Sequence, residues 1–209
     1  GAGQTIAVLS EGEQLRDYSA CSLSAASALG ARVLDINLAV EGALDAAARI
    51  ANIGQNSLSQ FPAALAQCCA ADMVVDHMLL LFSREQIAMQ AAGTRVLLVV
   101  EPEEILQRLF PTEDLRVRVE AAERRLRQAR QLRFTNTAGS DLHYRLRDKS
   151  ILTEYGYTDT AGRWDHWPGG FIATLAADGA VNGRVVMDVD DIVFPLKRFL
   201  TSQIEFVIR

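Results

Sequence analysis

The chain is short of the residue types that most readily betray a function. Among 209 residues there are three cysteines, three histidines and five prolines, and aromatic side chains make up 7%. Cys21 and the adjacent pair Cys68 and Cys69 form neither an even, spaced set nor a Cys-x-x-Cys, which excludes a disulfide scaffold. Reduced thiols buried as small apolar side chains in Ala-rich helices, in a cytoplasmic protein, are the simplest reading. The histidines His77, His143 and His166 show no His-x-x-x-His or His-x-Asp spacing, so no metal site is visible in the chain. Asp188, Asp190 and Asp191 are explained by a solvent-facing strand end as well as by a hard cation. No apolar run approaches the roughly 20 residues of a membrane span, and the visible start carries no signal-peptide pattern. Basic residues are outnumbered by acidic ones, 21 to 26, for a net charge of −5. That balance argues against a general binder of nucleic acid or anionic membranes and leaves a small molecule or a protein as partner.

What is present is the composition of an ordinary globular protein, 49% hydrophobic and 22% charged. Up to about residue 133 compact apolar runs alternate with Ala-rich helical stretches. Strands are expected at Thr5 to Leu9, Arg32 to Leu38, Met73 to Leu81 and Arg95 to Val100, and helices at Gln14 to Leu29, Leu44 to Ile53, Pro62 to Ala71 and Arg84 to Ala92. Short runs apolar on both faces suit a parallel sheet, so residues 1–133 are expected to form a doubly wound α/β domain. A long helix is expected from Thr112 to Arg133, with Thr112 as N-cap, acids at its start, arginines at its end and an apolar stripe through Leu115, Val119, Ala122, Leu126 and Ala129. Its arginines are interleaved with acids, which is the pattern of a solvated face.

After Arg133 the pattern turns β-rich. Ala138-Gly139, Asp159 to Gly162, Asp178-Gly179 and Asn182-Gly183 read as turns between short alternating strands such as Arg184 to Val189 and Asp191 to Leu196. Residues 134–209 are therefore expected to begin a second, antiparallel (α+β) domain. The chain opens Gly1-Ala2-Gly3 without methionine and closes on the alternating run Gln203 to Arg209, so it is expected to be a piece of something longer.

Gly1-Ala2-Gly3 precedes the first strand and cannot serve as a dinucleotide fingerprint, and the first strand-to-helix turn, Ser10-Glu11-Gly12-Glu13, carries acids where phosphate would bind. His77 stands at the carboxyl end of an expected parallel strand, where a structural role is the plainer reading. The richest segment is Thr153 to Phe171. Both tryptophans, Trp164 and Trp167, fall there with Asp165, His166, Glu154, Arg163 and two tyrosines beside Pro168-Gly169-Gly170. Such a loop can line a pocket for a planar ring or form an aromatic minicore. His166 has the chemistry of a general acid or base near neutral pH, with Glu154 as its orienting partner.

At these residues the sequence resembles the 2,5-dihydroxypyridine 5,6-dioxygenases. The resemblance rests on Thr153-Glu154-Tyr155-Gly156-Tyr157, on Gly162-Arg163-Trp164-Asp165-His166-Trp167-Pro168, and on Val99 to Glu103, Pro111 to Asp114 and Ala138 to Asp141. The Arg-Trp-Asp-His-Trp-Pro run is its most specific element, and it extends from about Thr5 to Arg209. Metallo-aminopeptidases of the thermophilic type are more distantly similar. The resemblance implies an Fe(II) enzyme of nicotinate and nicotine breakdown that inserts both atoms of O2 and opens the pyridine ring to N-formylmaleamate. It implies catalytic roles for Glu154 and His166, which would deprotonate a ring hydroxyl or steer the oxygen intermediate, and substrate contacts from Trp164, Asp165, Trp167 and His143. The two-histidine, one-carboxylate iron triad is expected beyond Arg209, so the chain alone is expected to be inactive. The implied partners are a small aromatic substrate and O2, with self-association left open and neither nucleic acid nor membrane among them. Phe82 stands where relatives are expected to carry a histidine, and phenylalanine cannot transfer a proton. A peptidase-like hydrolase and a non-catalytic α/β binding or assembly module are the alternative functions.

Overall fold

The structure, a computed structural model, describes residues 1–39, 53–146, 150–193 and 198–209. Contacts group the chain into two compact units, Gly1–Arg116 with Glu154–Gly170, and Val117–Thr153 with Phe171–Arg209. This differs from a single cut at 133/134. The segment Glu154–Gly170 groups with the α/β part because it supplies that part with a fifth strand.

The first unit is built on a parallel sheet in the order β2-β1-β3-β4-β8. Its strands are β1 (Thr5–Glu11), β2 (Arg32–Leu38), β3 (Met73–Asp76), β4 (Arg95–Val99) and β8 (Trp164–Trp167). Every residue of the central β1 is buried, as its unbroken Thr-Ile-Ala-Val-Leu-Ser-Glu run demands of a strand covered on both faces. Helices α1 (Arg16–Ala28), α2 (Pro62–Ala70) and α3 (Arg84–Ala91) carry the crossovers, and the short α4 (Glu103–Arg108) follows β4. Ser83 caps α3 by accepting a hydrogen bond from the Gln86 amide at 3.1 Å. One face of the sheet packs Ile6, Val8, Val75 and Val99 with Leu106, and Tyr18, Leu23 and Trp167 lie against them. The expected helix Leu44 to Ile53 falls, but for its last residue, outside the described residues. No helix among the described residues is long and apolar enough to cross a membrane.

Helix α5 (Glu113–Gln128) links the units, its start held by the Thr112 hydroxyl, which accepts from the Leu115 amide at 3.2 Å. It stops short of the expected Arg133. Gln131 to Thr135 alternates as a strand, β5, and pairs antiparallel with β6 (Asp141–Arg145), and Arg133 there grips Asp141 through two 2.8 Å hydrogen bonds. In the second unit the sheet runs β13-β10-β6-β5, with β10 at Val181–Met187 and β13 at Ile204–Ile208. The expected turn at Asn182-Gly183 lies inside β10 instead. Gly183 is needed there for close approach, since a Cβ would come within 2.1 Å of the Asp141 carbonyl oxygen on the paired strand. A pair of two-stranded ribbons, β7 (Ile151–Glu154) with β9 (Phe171–Thr174) and β11 (Ile192–Val193) with β12 (Arg198–Phe199), completes the described strands.

His77, one residue past β3, is fully enclosed. Its Nδ1 is 2.7 Å from the Val99 carbonyl and its Nε2 is 3.2 Å from the Ser22 hydroxyl. Burial holds its pKa below the ordinary histidine value, against the opposing pull of the Val99 hydrogen bond. The folded state therefore prefers neutral imidazole, and the unfolded chain takes up a proton first as pH falls. The resulting stability is present above about pH 6.5 and is lost as pH drops below it. Urea unfolding should show a larger loss from about pH 7.5 to 5.5 in the wild type than in His77→Asn, in which the titrating ring is gone.

Candidate active site

The site grows from the carboxyl edge of the parallel sheet, where open α/β folds place their ligands. Strand β8 lies beside β4 with His166 opposite Leu98 and Trp164 opposite Val96. Side chains alternate across a strand, so Trp164 and His166 share one face while Asp165 and Trp167 take the other. The rings of Trp164 and His166 stack at 26° with centroids 6.5 Å apart. The Glu154 carboxylate meets this pair from the end of β7, its Oε2 3.5 Å from His166 Nδ1. From the turn after β4, Glu101 brings a second carboxylate to the other ring nitrogen, with Oε1 3.9 Å from Nε2.

Three polar atoms of this cluster are hidden from solvent with no hydrogen-bond partner among the described residues: Glu154 Oε2, Trp164 Nε1 and His166 Nε2. The 3.5 Å approach of Glu154 to His166 is a close contact without hydrogen-bond geometry. Each unsatisfied group costs about 1–3 kcal/mol, and folded proteins keep few of them. On adjoining side chains, where His166 meets both the Trp164 ring and Glu154, these groups offer a donor, a carboxylate acceptor and a titratable ring to a further partner.

Asp165, expected to contact substrate, has a structural task in the fold. Its side chain is fully buried. Oδ1 accepts from the amides of Tyr155, Gly156 and His166 at 2.8–2.9 Å, and Oδ2 accepts from Arg163 Nε at 3.1 Å and from Nη2 at 2.5 Å. One carboxylate thus ties the end of β7 to β8 and fixes the backbone on either side of the Glu154–His166 contact. Arg163 also lies 3.9 Å over the Tyr155 ring, and Arg116, paired with Asp159 at 2.7 Å, lies over both Tyr155 and Tyr157. The arginine beside Asp159 holds that carboxyl below its usual range. Tyrosines and arginines here form the minicore on which the site rests.

Trp167 also differs from expectation. It faces the sheet's apolar core, packs edge-on to Phe110 and donates from Nε1 to the Leu106 carbonyl at 3.1 Å. His143 belongs to the second unit, where it is exposed on β6 and 3.3 Å from Asp141, a carboxylate held low by Arg133. Of the residues singled out in the sequence, the structure gathers Glu154, Trp164 and His166 in the first unit with Asp165 on the opposite face of their strand, and His143 belongs to the second unit. Phe82 is exposed with a left-handed backbone, φ 60°. Glu101 was not anticipated. Its signal was its place, between an apolar strand and a proline at the carboxyl edge of the sheet.

The Pro-Gly-Gly loop presses on the acid. Gly170 donates to the Glu154 carbonyl at 2.7 Å, and a Cβ at Gly169 would lie 2.6 Å from the Tyr155 amide nitrogen and 2.8 Å from the Glu154 carbonyl carbon. Gly169→Ala must therefore displace Glu154. Because backbone atoms of Glu154 and Tyr155 must shift to admit the methyl group, the chain carrying it is expected to be less stable than the wild type, read by chemical unfolding.

Fold and site together define an open α/β protein that presents a carboxylate and an imidazole at the carboxyl edge of its sheet. The wild-type AmpT of Thermus thermophilus shares this fold, with a TM-score of 0.60 at 13% identity over 89% of this chain and 60% of that one. The sequence family described as 2,5-dihydroxypyridine 5,6-dioxygenase matches residues 1–209, and the chain belongs to that family. A 2,5-dihydroxypyridine 5,6-dioxygenase of Pseudomonas putida KT2440 is 50% identical over 135 residues, which is 65% of this chain and 39% of the relative. The solved structure of the 2,5-dihydroxypyridine dioxygenase of the same organism superposes with a TM-score of 0.89 at 40% identity, over 98% of this chain and 60% of that chain. The chain thus spans less than two thirds of the length of these relatives.

Proposed function

We propose that the chain is the substrate-side part of an enzyme that opens 2,5-dihydroxypyridine with O2, and that Glu154 and His166 are its acid–base pair. The observation that carries the reading is the cluster of three unsatisfied buried atoms in a member of this family. A dihydroxypyridine answers two of them and lies against the third residue: a ring oxygen accepts from Trp164 Nε1, a hydroxyl donates to Glu154 Oε2, and the flat ring matches the stacked Trp164 and His166. Taking the hydroxyl proton makes the ring electron-rich, as attack by O2 requires. The buried carboxylate receives that proton and the imidazole beside it carries the proton on.

The iron implied by the family finds no fitting donor set in the described residues, where no three His, Cys, Asp or Glu side chains converge to hold a metal ion. No step here runs through it, and its ligands belong, on this proposal, to the part of the enzyme outside these 209 residues. Oxygen uptake tests the reading. The full-length protein, supplied with Fe(II), is expected to consume one O2 for each 2,5-dihydroxypyridine and yield N-formylmaleamate, and the 209-residue chain is expected to consume none. Release of amino acids from peptides without oxygen uptake would replace this reading with that of a peptidase-like hydrolase.

A further inference from the structure

The imidazole of His166 stands between two carboxylates of different exposure, and only the inner one has a role so far. The Glu154 side chain is 4% exposed, that of His166 19% and that of Glu101 40%, so the three form a graded path from the protein interior to solvent. We infer that Glu101 is the outer terminus of a proton path that runs from Glu154 through His166 to water. The inference rests on the acid–base reading of Glu154 and His166.

The local fold holds Glu101 in place for this. The residue before a proline is biased away from helical backbone, so α4 cannot extend back over Glu101, two residues past the end of β4. Its carbonyl accepts a hydrogen bond from the Tyr18 hydroxyl at 3.1 Å, and α4 begins immediately after Pro102. The chain is therefore pinned on both sides of the residue while its carboxylate reaches solvent.

The transfer balances with one proton and no electrons. The O–H bond of the ring hydroxyl breaks as a proton joins Glu154 Oε2. Glu154 passes that proton to His166 Nδ1, the ring releases its Nε2 proton to Glu101 Oε1, and Glu101 gives it to water. Glutamine at 101 keeps the shape of the side chain but cannot take the proton. Glu154, Glu101 and the Trp164 ring are the groups that face His166.

Two measurements on Glu101→Gln test this. In the full-length enzyme, kcat should fall about tenfold with KM unchanged within twofold, added formate should restore most of the rate, and Glu101→Asp should retain more activity than the amide. In the isolated chain, NMR of the histidine ring nitrogens should show the His166 ring proton exchanging with water several-fold more slowly in Glu101→Gln, again with recovery in formate. Equal exchange in wild type and variant would overturn the path whatever the substrate proves to be. So would a kcat loss that formate and aspartate both fail to repair, since a structural role behaves that way. If the wild type did not turn over 2,5-dihydroxypyridine while exchange still depended on Glu101, the substrate reading would fall and the proton path would stand.

Discussion

Replacing His166 by alanine in the full-length enzyme is expected to lower turnover by roughly 10²-fold or more, the usual worth of a positioned acid or base. The protein should remain folded. The side chain makes no hydrogen bond within the described residues, while its backbone amide keeps the 2.8 Å bond to Asp165 that anchors the strand. If Glu154 and His166 act as one unit, their effects will not add, and Glu154→Gln combined with His166→Ala should cost about as much as His166→Ala alone. Turnover followed across pH for wild type and the single and double variants decides this. A variant that matched the wild type at every pH would strip His166 of the role.

Asp165→Ala is expected to give the largest loss of stability at the site, about 3–5 kcal/mol, because it removes the carboxylate opposite a partly buried guanidinium and the acceptor shared by three backbone amides. Chemical unfolding of the purified chain would measure it. Activity should fall with it for a different reason than in His166→Ala, since the Asp165 carboxylate is taken up in fixing the backbone that carries Glu154 and His166. Asp165→Asn should be intermediate, retaining one acceptor oxygen and losing the charge opposite Arg163.

Much of this was legible in the sequence. Apolar runs such as Val8-Leu9 and Val74-Val75 leave little choice but burial in a parallel sheet, and the segment around His166 stood out by its crowding of rings and titratable groups. Hidden from that reading was the secondary structure of the segment itself. Trp164 to Trp167 is a run of four residues flanked by Arg163 and Pro168, with an acid and a histidine inside it, and local patterning reads it as a loop. It is a strand because a sheet edge laid down more than sixty residues earlier accepts it. Once β8 is a strand, alternation assigns the faces: Asp165 and Trp167 share one, and Trp164 and His166 share the other, toward Glu154. Glu101 was passed over because its partner lies on that same unrecognised strand. The helix end at Gln128 was missed for a related reason, as Arg133 suits a helix terminus and a cross-strand pair with Asp141 equally well, and only pairing decides.

The fifth strand also determines how the protein can be divided. A protein cut at the change of composition near residue 133 would retain four strands and lose β8, leaving the amides and carbonyls of Arg95–Val99 that face it unpaired. Val96 and Leu98 would then border an open edge, the kind of surface that recruits other chains and aggregates. Expression of a shortened protein should therefore improve abruptly once the chain is extended past Trp167, the point at which the sheet acquires its protective margin together with its histidine.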